Sequence, residues 1–397
     1  MQRPARASYD VVIVGGAMLG ASVAWFLTDH PGFDGRVLVV ERDPTYEFAS
    51  TTHTNSCIRQ QFSSPINIRV SQFGVEFLKD FRARLGDERV PEIALQAFGY
   101  LYLAGSEAGA EGLRAAQAVQ AAHGAGTRHL SREQIAEAWP FYNLDDVRAG
   151  NHNPVDEGYF DGATMFDWWK RLARERGVEF LHNEVVSIAR SGARVESVTL
   201  ATGEVVGCGT LVNASGPRAA LTARMAGLDL PVEPRKRYTY VFEAERPLDR
   251  TLPLTIDPSG VHMRSDGRYY MAGCPPDDDG PVAPDDFAAD HAIWEDKVWP
   301  VLAHRIPAFE AIRLRNMWVG HYAYNTVDQN AIVGPHPELG NFLFVNGFSG
   351  HGLQQSPAMG RGLAEWIATG RYETLDLSPF HVDRILKGAP MLELAVI

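Results

Sequence analysis

The chain opens on "YDVVIVGG", where Val11, Val12, Ile13 and Val14 follow Asp10 with no polar alternation before two glycines. A short unbroken apolar run is the pattern of a strand covered on both faces, as in a parallel sheet. "AMLGASVAWFLTDH" predicts a helix leaving those glycines, and after the turn "PGFDG" the run "RVLVVER" predicts a second parallel strand. This is a βαβ unit. The period then changes: Ile66, Val70, Phe73, Phe77, Phe81 and Leu85 recur at spacings of three and four, which predicts one helix with Pro65 in its first turn.

From Phe98 the texture differs. "FGYLYLAG" reads as a strand, Glu107 to His123 as an Ala-rich helix, and Ser131 with Gln134 as a capping box before Pro140. "DGATMFDWWKRLARERG" predicts a helix closed by Gly177, and the following segment to "LVNASG" predicts short strands separated by turns. Tyr238 to Tyr270 is again strand-like. The loop "GCPPDDDGPVAPDD" leads into a predicted helix carrying Phe287, Trp294 and Val298, its five acids read as solvated charge. Near the C-terminus "GFSGHGLQQ" approaches a helix that Ser356 caps, Pro357 starts and Gly370 ends. The changes of texture place a first domain at 1–92, 151–228 and 323–397, and a second at 93–150 and 229–322.

Composition narrows the function. With 397 residues and 45% hydrophobic content the chain can bury the cores of two domains. Thirty-seven Lys and Arg against 49 Asp and Glu give a net charge of −12, which opposes binding to nucleic acid or anionic lipid. Cys57, Cys208 and Cys274 are too dispersed for a metal or redox pair and fit a reducing cytoplasm; no residues are assigned to a metal. Arg3 and Arg6 before the uncharged stretch Val11 to Leu27 imitate a signal peptide or membrane span, but three glycines and the second strand identify a nucleotide-binding unit instead.

The run "GGAMLG" is a GxGxxG fingerprint with Ala17 in place of the middle glycine. Gly15 permits the tight turn, Gly20 permits close helix–strand packing, and the helix N-terminus offers N–H groups to a pyrophosphate. Glu41 ends the second strand, where a carboxylate accepts from ribose hydroxyls and repels a 2′-phosphate. "LVNASG" supplies a second small-residue strand end, and "GFSGHG" a second glycine-rich helix entry, for which a tight turn before a packed helix is the plainer explanation.

In their order and spacing these three segments, with "VLVVERD", "RQQFSSPINI", "DEGYFD" and "YNTVDQNAIVGPHP", resemble the D-amino-acid oxidase superfamily of flavoproteins over nearly the whole chain. The likeness is closest to its sarcosine and dimethylglycine oxidases and dehydrogenases, and within them to FAD-dependent oxidoreductases linked to mitochondrial complex I assembly. The resemblance implies an α/β fold: a Rossmann-like FAD-binding domain of glutathione-reductase type, with an inserted α+β substrate domain on a mainly antiparallel sheet. It implies FAD along Gly15, Gly16, Ala17, Met18, Leu19 and Gly20, then Glu41 and Arg42, Ser50 and Thr51, Val185, Ala214 and Gly216, and the loop Gly350, His351, Gly352, Leu353 and Gln354. The methyl of Ala17 then displaces the phosphate slightly.

The same resemblance implies oxidation of a small secondary or N-methylated amino acid by hydride transfer to the flavin, giving an imine that hydrolyses. Arg59 falls where relatives grip the substrate carboxylate, the alternative being an ion pair with a structural acid. His53 falls where dimethylglycine-type enzymes attach FAD covalently, or else is a polar site residue. His262 is a candidate polar or basic group over the ring and Arg264 a second carboxylate contact, each with the alternative of a strand residue satisfied by its neighbours. Gln354 stands where the sarcosine oxidases have a lysine for the carboxylate, which weakens the anionic clamp, and their oxygen-activating lysine has no counterpart around "GRYYMAGCPP", which leaves oxygen, a quinone or an electron-transfer flavoprotein as electron acceptor. Two rival readings remain: an assembly or scaffold protein with FAD as a folding ligand, and an NAD-dependent dehydrogenase, which has no need of the "GFSGHG" element.

Overall fold

The computed structural model describes residues 1–395. The opening apolar run forms the strand Ser8–Val14, flanked in parallel by Val37–Glu41 on one side and Val205–Asn213 on the other. Glu179–His182 and Leu339–Asn346 add parallel neighbours outside these two, and Ile332–His336 pairs antiparallel with Leu339–Asn346. The strands are apolar on both faces because both faces are covered. Helices Met18–Asp29, Gly162–Glu175 and Gly352–Thr369 pack on one, where Trp25 and Trp169 stack at 6.4 Å between centroids. The hairpin Val185–Ser191 and Arg194–Leu200, with the short helix Ala219–Met225, covers the other.

A second eight-stranded sheet runs in the order Ile312–Asn325, Val232–Ala244, Tyr269–Cys274, His262–Asp266, Leu254–Ile256, Tyr100–Ala104, Ala149–Asn153 and Arg128–Ser131. All its pairs are antiparallel except Leu254–Ile256 with Tyr100–Ala104. The chain thus leaves the parallel sheet twice to build it. Two strands, Ala149–Asn153 and Ile312–Asn325, run three residues past the positions 150 and 322 at which the sequence suggested boundaries.

Three elements depart from the sequence expectation. The helix expected to run to Leu85 breaks at Asp80 into Pro65–Lys79 and Phe81–Leu85. Phe287 lies in the acidic loop, before the helical turns Trp294–Val298 and Trp299–Arg305. The last long helix starts at Gly352, with Pro357 inside it. An internal proline leaves the carbonyl four residues back without its donor. Here Ser356 Oγ donates to that carbonyl, Leu353 O, at 2.7 Å, and Ser22 Oγ donates to Ser356 O at 2.7 Å. The hydroxyl replaces the missing N–H, so the helix begins a turn earlier and its N-terminus reaches the cavity described next. Among the described residues no helix is long and apolar enough to cross a membrane.

Candidate functional site

Two helix N-termini meet at one cavity of about 390 Å³. Helix Met18–Asp29 begins after Ala17 and helix Gly352–Thr369 after His351; neither has a side-chain cap or an acid in its first turn. Uncompensated N-terminal N–H groups favour an anion. The backbone is shaped for close approach: a Cβ on Gly15 (φ +97°) would lie 2.4 Å from Ala214 O, and one on Gly20 1.9 Å from Gly15 O. Ala17 has φ −72° and ψ −160°, extended backbone that any residue adopts, so the missing glycine causes no strain.

Gly15, Ala17, Met18 and Leu19 line this end of the cavity, while Gly16 and Gly20 shape it from behind. Glu41 also lines it; its carboxylate accepts from Gly16 N–H at 2.7 Å and Asp43 N–H at 2.8 Å, and burial raises its pKa. Arg42, Val185, Ala214 and Gly216 continue the wall, and Ser50 and Thr51 close it, Thr51 Oγ1 accepting from Met18 N–H at 3.2 Å. The acidic loop lies across the opening. Asp285 joins Arg42 Nη1 at 3.3 Å and Arg218, Asp286 joins Lys236 at 2.8 Å, Asp279 holds Arg237 at 2.6 and 2.9 Å, and Asp277 holds Lys297 at 2.7 Å. These four acids are counter-ions as well as solvated charge: the side chains of Asp277 and Asp285 stay 88% and 71% exposed, so the reading of solvated charge stands and gains its partners. Among the described residues no cluster of metal-binding side chains forms.

At the other end Arg59 is 1% exposed and lines the cavity with His351, Gly350, Gly352, Leu353 and Gln354. Its backbone N–H donates to Gln354 Oε1 at 2.9 Å. Its guanidinium lies 4.1 Å over the Phe62 ring and donates to Gln61 O, Ala395 O and, at 2.9 Å, His351 Nε2. Burial, with Arg59 alongside, pushes His351 down to about 3, so its ring is a neutral acceptor. Gly350 (φ +96°) permits this approach: a Cβ there would lie 2.5 Å from the Tyr322 ring.

His53 and His262 also line the cavity. His53 stacks at 6.0 Å on Phe287, which stacks in turn at 4.2 Å on His321. His262 is held down to about 4 by burial and by Arg264 and Arg237, and its Nε2 lies 3.0 Å from Asn55 Nδ2. Arg264 is not on the cavity wall. It pairs with Asp266 at 2.9 Å and braces Asn55 O at 3.2 Å, which places it behind the site as a support and not as a second contact to a substrate carboxylate.

Sequence reasoning missed Asn55, Arg237, Asp285 and Glu393. Asn55 lies between His53 and Arg59 in "STTHTNSCIR" with no motif of its own, and the others depend on partners more than 40 residues away.

The arrangement suits an elongated dinucleotide: anion sites at two helix entries, a carboxylate at ribose position, and a far end walled by Arg59, His262 and Tyr322. It defines a flavin-dependent oxidoreductase built on a nucleotide-binding domain. Residues 10–366 match the model of the DAO family, described as FAD dependent oxidoreductase, and the chain belongs to that family, with FAD as its cofactor. The FAD-dependent oxidoreductase domain-containing protein 1 of Xenopus laevis is 38% identical, covering 97% of this chain and 84% of its own. Sarcosine oxidase subunit beta of Rhizobium meliloti (strain 1021) is 25% identical over 96% of this chain and 89% of its own. Among solved structures, L-proline dehydrogenase from P. horikoshii superposes with a TM-score of 0.84 at 26% identity, covering 97% of this chain and 99% of that one.

Proposed function

We propose that the protein oxidises a small secondary or N-methylated amino acid, sarcosine or proline in kind, at the carbon next to nitrogen. One observation carries this reading. Of the four buried arginines, Arg264, Arg305 and Arg384 each pair directly with a carboxylate, whereas Arg59, on the cavity wall, pairs with none among the described residues. The nearby acid Glu157 is engaged by Gln60, Gln61 and Asn153 and not by the guanidinium, and a buried cation without a direct ion pair is costly; a substrate carboxylate supplies one through two parallel hydrogen bonds. Gln354 Oε1 is committed to Arg59 N–H, so its amide NH2 is the group turned to the ligand's use. His351 and His262 are neutral, and with Arg59 they favour the anionic amino acid, whose amine nitrogen has the free lone pair that dehydrogenation needs.

When bound, FAD supplies the acceptor for the hydride, and the imine product then hydrolyses. Cys57, Cys208 and Cys274 are free and buried, which supports a reducing, cytoplasmic setting. Sarcosine, N,N-dimethylglycine and L-proline mixed anaerobically with the holoprotein test the reading: bleaching of the flavin absorbance is expected with at least one. Return of colour on admitting air identifies oxygen as acceptor; a quinone or electron-transfer flavoprotein is added where it does not return. Arg59→Lys, which loses the forked geometry, is expected to raise KM roughly 30-fold. No bleaching by any secondary or N-methylated amino acid would overturn the proposal in favour of a scaffold that holds FAD as a folding ligand.

A further inference from the structure

The motifs "SSPIN" and "YNTVDQN" take no part in the cavity; both hold the C-terminal segment. Glu393 is buried, and its carboxylate accepts from Ser63 N–H and Oγ–H, both at 2.7 Å, and from Ser64 Oγ–H and Asn67 Nδ2 at 2.9 Å. Asp328, itself buried, accepts from Met391 N–H and, through its carbonyl, from Glu393 N–H, both at 3.0 Å. The chain is thus pinned through residue 393. Beyond the pin, among the described residues, two backbone bonds hold it, Leu394 N–H to Ser63 Oγ and Ala395 N–H to Glu393 Oε1, both at 3.0 Å, before Ala395 O meets the Arg59 guanidinium.

The hydrogen count on Arg59 decides what this contact does. Nη2 carries two hydrogens, and His351 Nε2 and Ala395 O take one each. Both forked edges of a guanidinium, Nη1 with Nη2 and Nε with Nη2, need a hydrogen from Nη2. Neither edge is therefore open to a carboxylate while Ala395 O is in place.

We propose that Glu393 is a positioning residue that keeps the Ala395 carbonyl on Arg59 as a displaceable stand-in for one substrate carboxylate oxygen, so that substrate binding exchanges the strap 394–395 for the acid. The proposal rests on the Arg59 reading above. Residues 394–395 leave while the pin at Glu393 stays, and the strap returns when product departs. Its effect falls on affinity and not on the chemical step.

The test uses the holoprotein and two variants. Glu393→Gln weakens the pin, and Leu394→Pro removes the N–H bonded to Ser63 at a side chain that is exposed and spares the core. Propionate, a carboxylate with no amine to oxidise, is titrated against the flavin absorbance, and KM and kcat are measured with sarcosine or L-proline. Both variants are expected to bind propionate about five-fold tighter and to lower KM by the same factor, with kcat within two-fold. Unchanged or weaker propionate binding in the folded variants would overturn the strap. The Arg59 reading fails separately, if Arg59→Lys binds propionate as well as the wild type does.

Discussion

Ala17 offers a way to separate the two jobs of a helix entry. It is the N-cap of helix Met18–Asp29, gives that helix no side-chain acceptor, and lines the cavity. Ala17→Gly improves the cap by about 0.5–1 kcal/mol, because alanine is among the poorer N-caps, but frees the unfolded chain by a similar ~0.4–1 kcal/mol. Stability should therefore move by less than about 0.5 kcal/mol. The cavity gains the space of one methyl beside N–H groups whose interaction with an anion is worth ~1 kcal/mol, so FAD should bind roughly five-fold tighter. Ala17→Ser makes the complementary change: it adds a cap worth about 1 kcal/mol and keeps the Cβ in the phosphate path. It should raise Tm of the apoprotein and leave FAD affinity within two-fold. Titration of apoprotein by flavin fluorescence quenching gives Kd, and thermal melts of the same samples give stability. Tighter FAD binding by the serine variant, or no tightening by the glycine variant, would refute the claim that space governs the site and not the cap.

Other consequences are as direct. Ser356→Ala strands the Leu353 carbonyl at a cost of about 1–3 kcal/mol, whereas in a Pro357→Ala background the restored N–H should reduce that cost by ~1 kcal/mol; additive thermal or denaturant ΔΔG values would contradict the substitution of hydroxyl for amide. Asp285→Asn removes an exposed clasp to Arg42 and Arg218 and should speed FAD release two- to five-fold at low salt, the difference fading by about 0.5 M salt, as followed by fluorescence of released flavin. Glu157 is fully buried, and burial raises it to about 7 from 4.5, so the folded protein binds its proton more tightly than the unfolded chain does and stability falls as pH rises from 4.5 to 7. Glu157→Gln should flatten that window, removing at most ~3 kcal/mol of slope in denaturant melts taken at each pH.

The nucleotide half was legible because its signals are contiguous. Gly20 and Glu41 act on backbone or neighbours within one βαβ unit, Gly15 adds a close approach to Ala214, and the apolar runs between glycines and turns read as strands covered on both faces. What escaped was decided across the chain. Pro357 reads as a helix start because an internal proline normally breaks a helix; only Ser356, placed by packing against Ser22, makes the earlier start possible. The pairing of Asp277, Asp279, Asp285 and Asp286 was hidden because their partners, Arg42, Arg218, Lys236, Arg237 and Lys297, come from other elements. Arg264 was drawn to the cavity by the resemblance of its strand, which gives a place in the sheet and not which groups reach open space; Asp266 and Asn55 O claim its guanidinium first.

The distribution of charge explains why a chain with a surplus of acid builds a cationic site. The arginines and lysine around the cavity mouth are each matched to an aspartate of the acidic loop, so their field is largely cancelled before a ligand arrives. Arg59 is treated differently. Its neighbours are two carbonyls, an aromatic face and an imidazole held neutral, groups that satisfy N–H geometry without cancelling charge. A carboxylate in place of any of them would stabilise the apoprotein more and compete with an anionic ligand far more strongly than Ala395 O does. Using a carbonyl as the placeholder keeps the guanidinium oriented and its charge unspent, which is the condition under which an amino-acid carboxylate can displace it and bind.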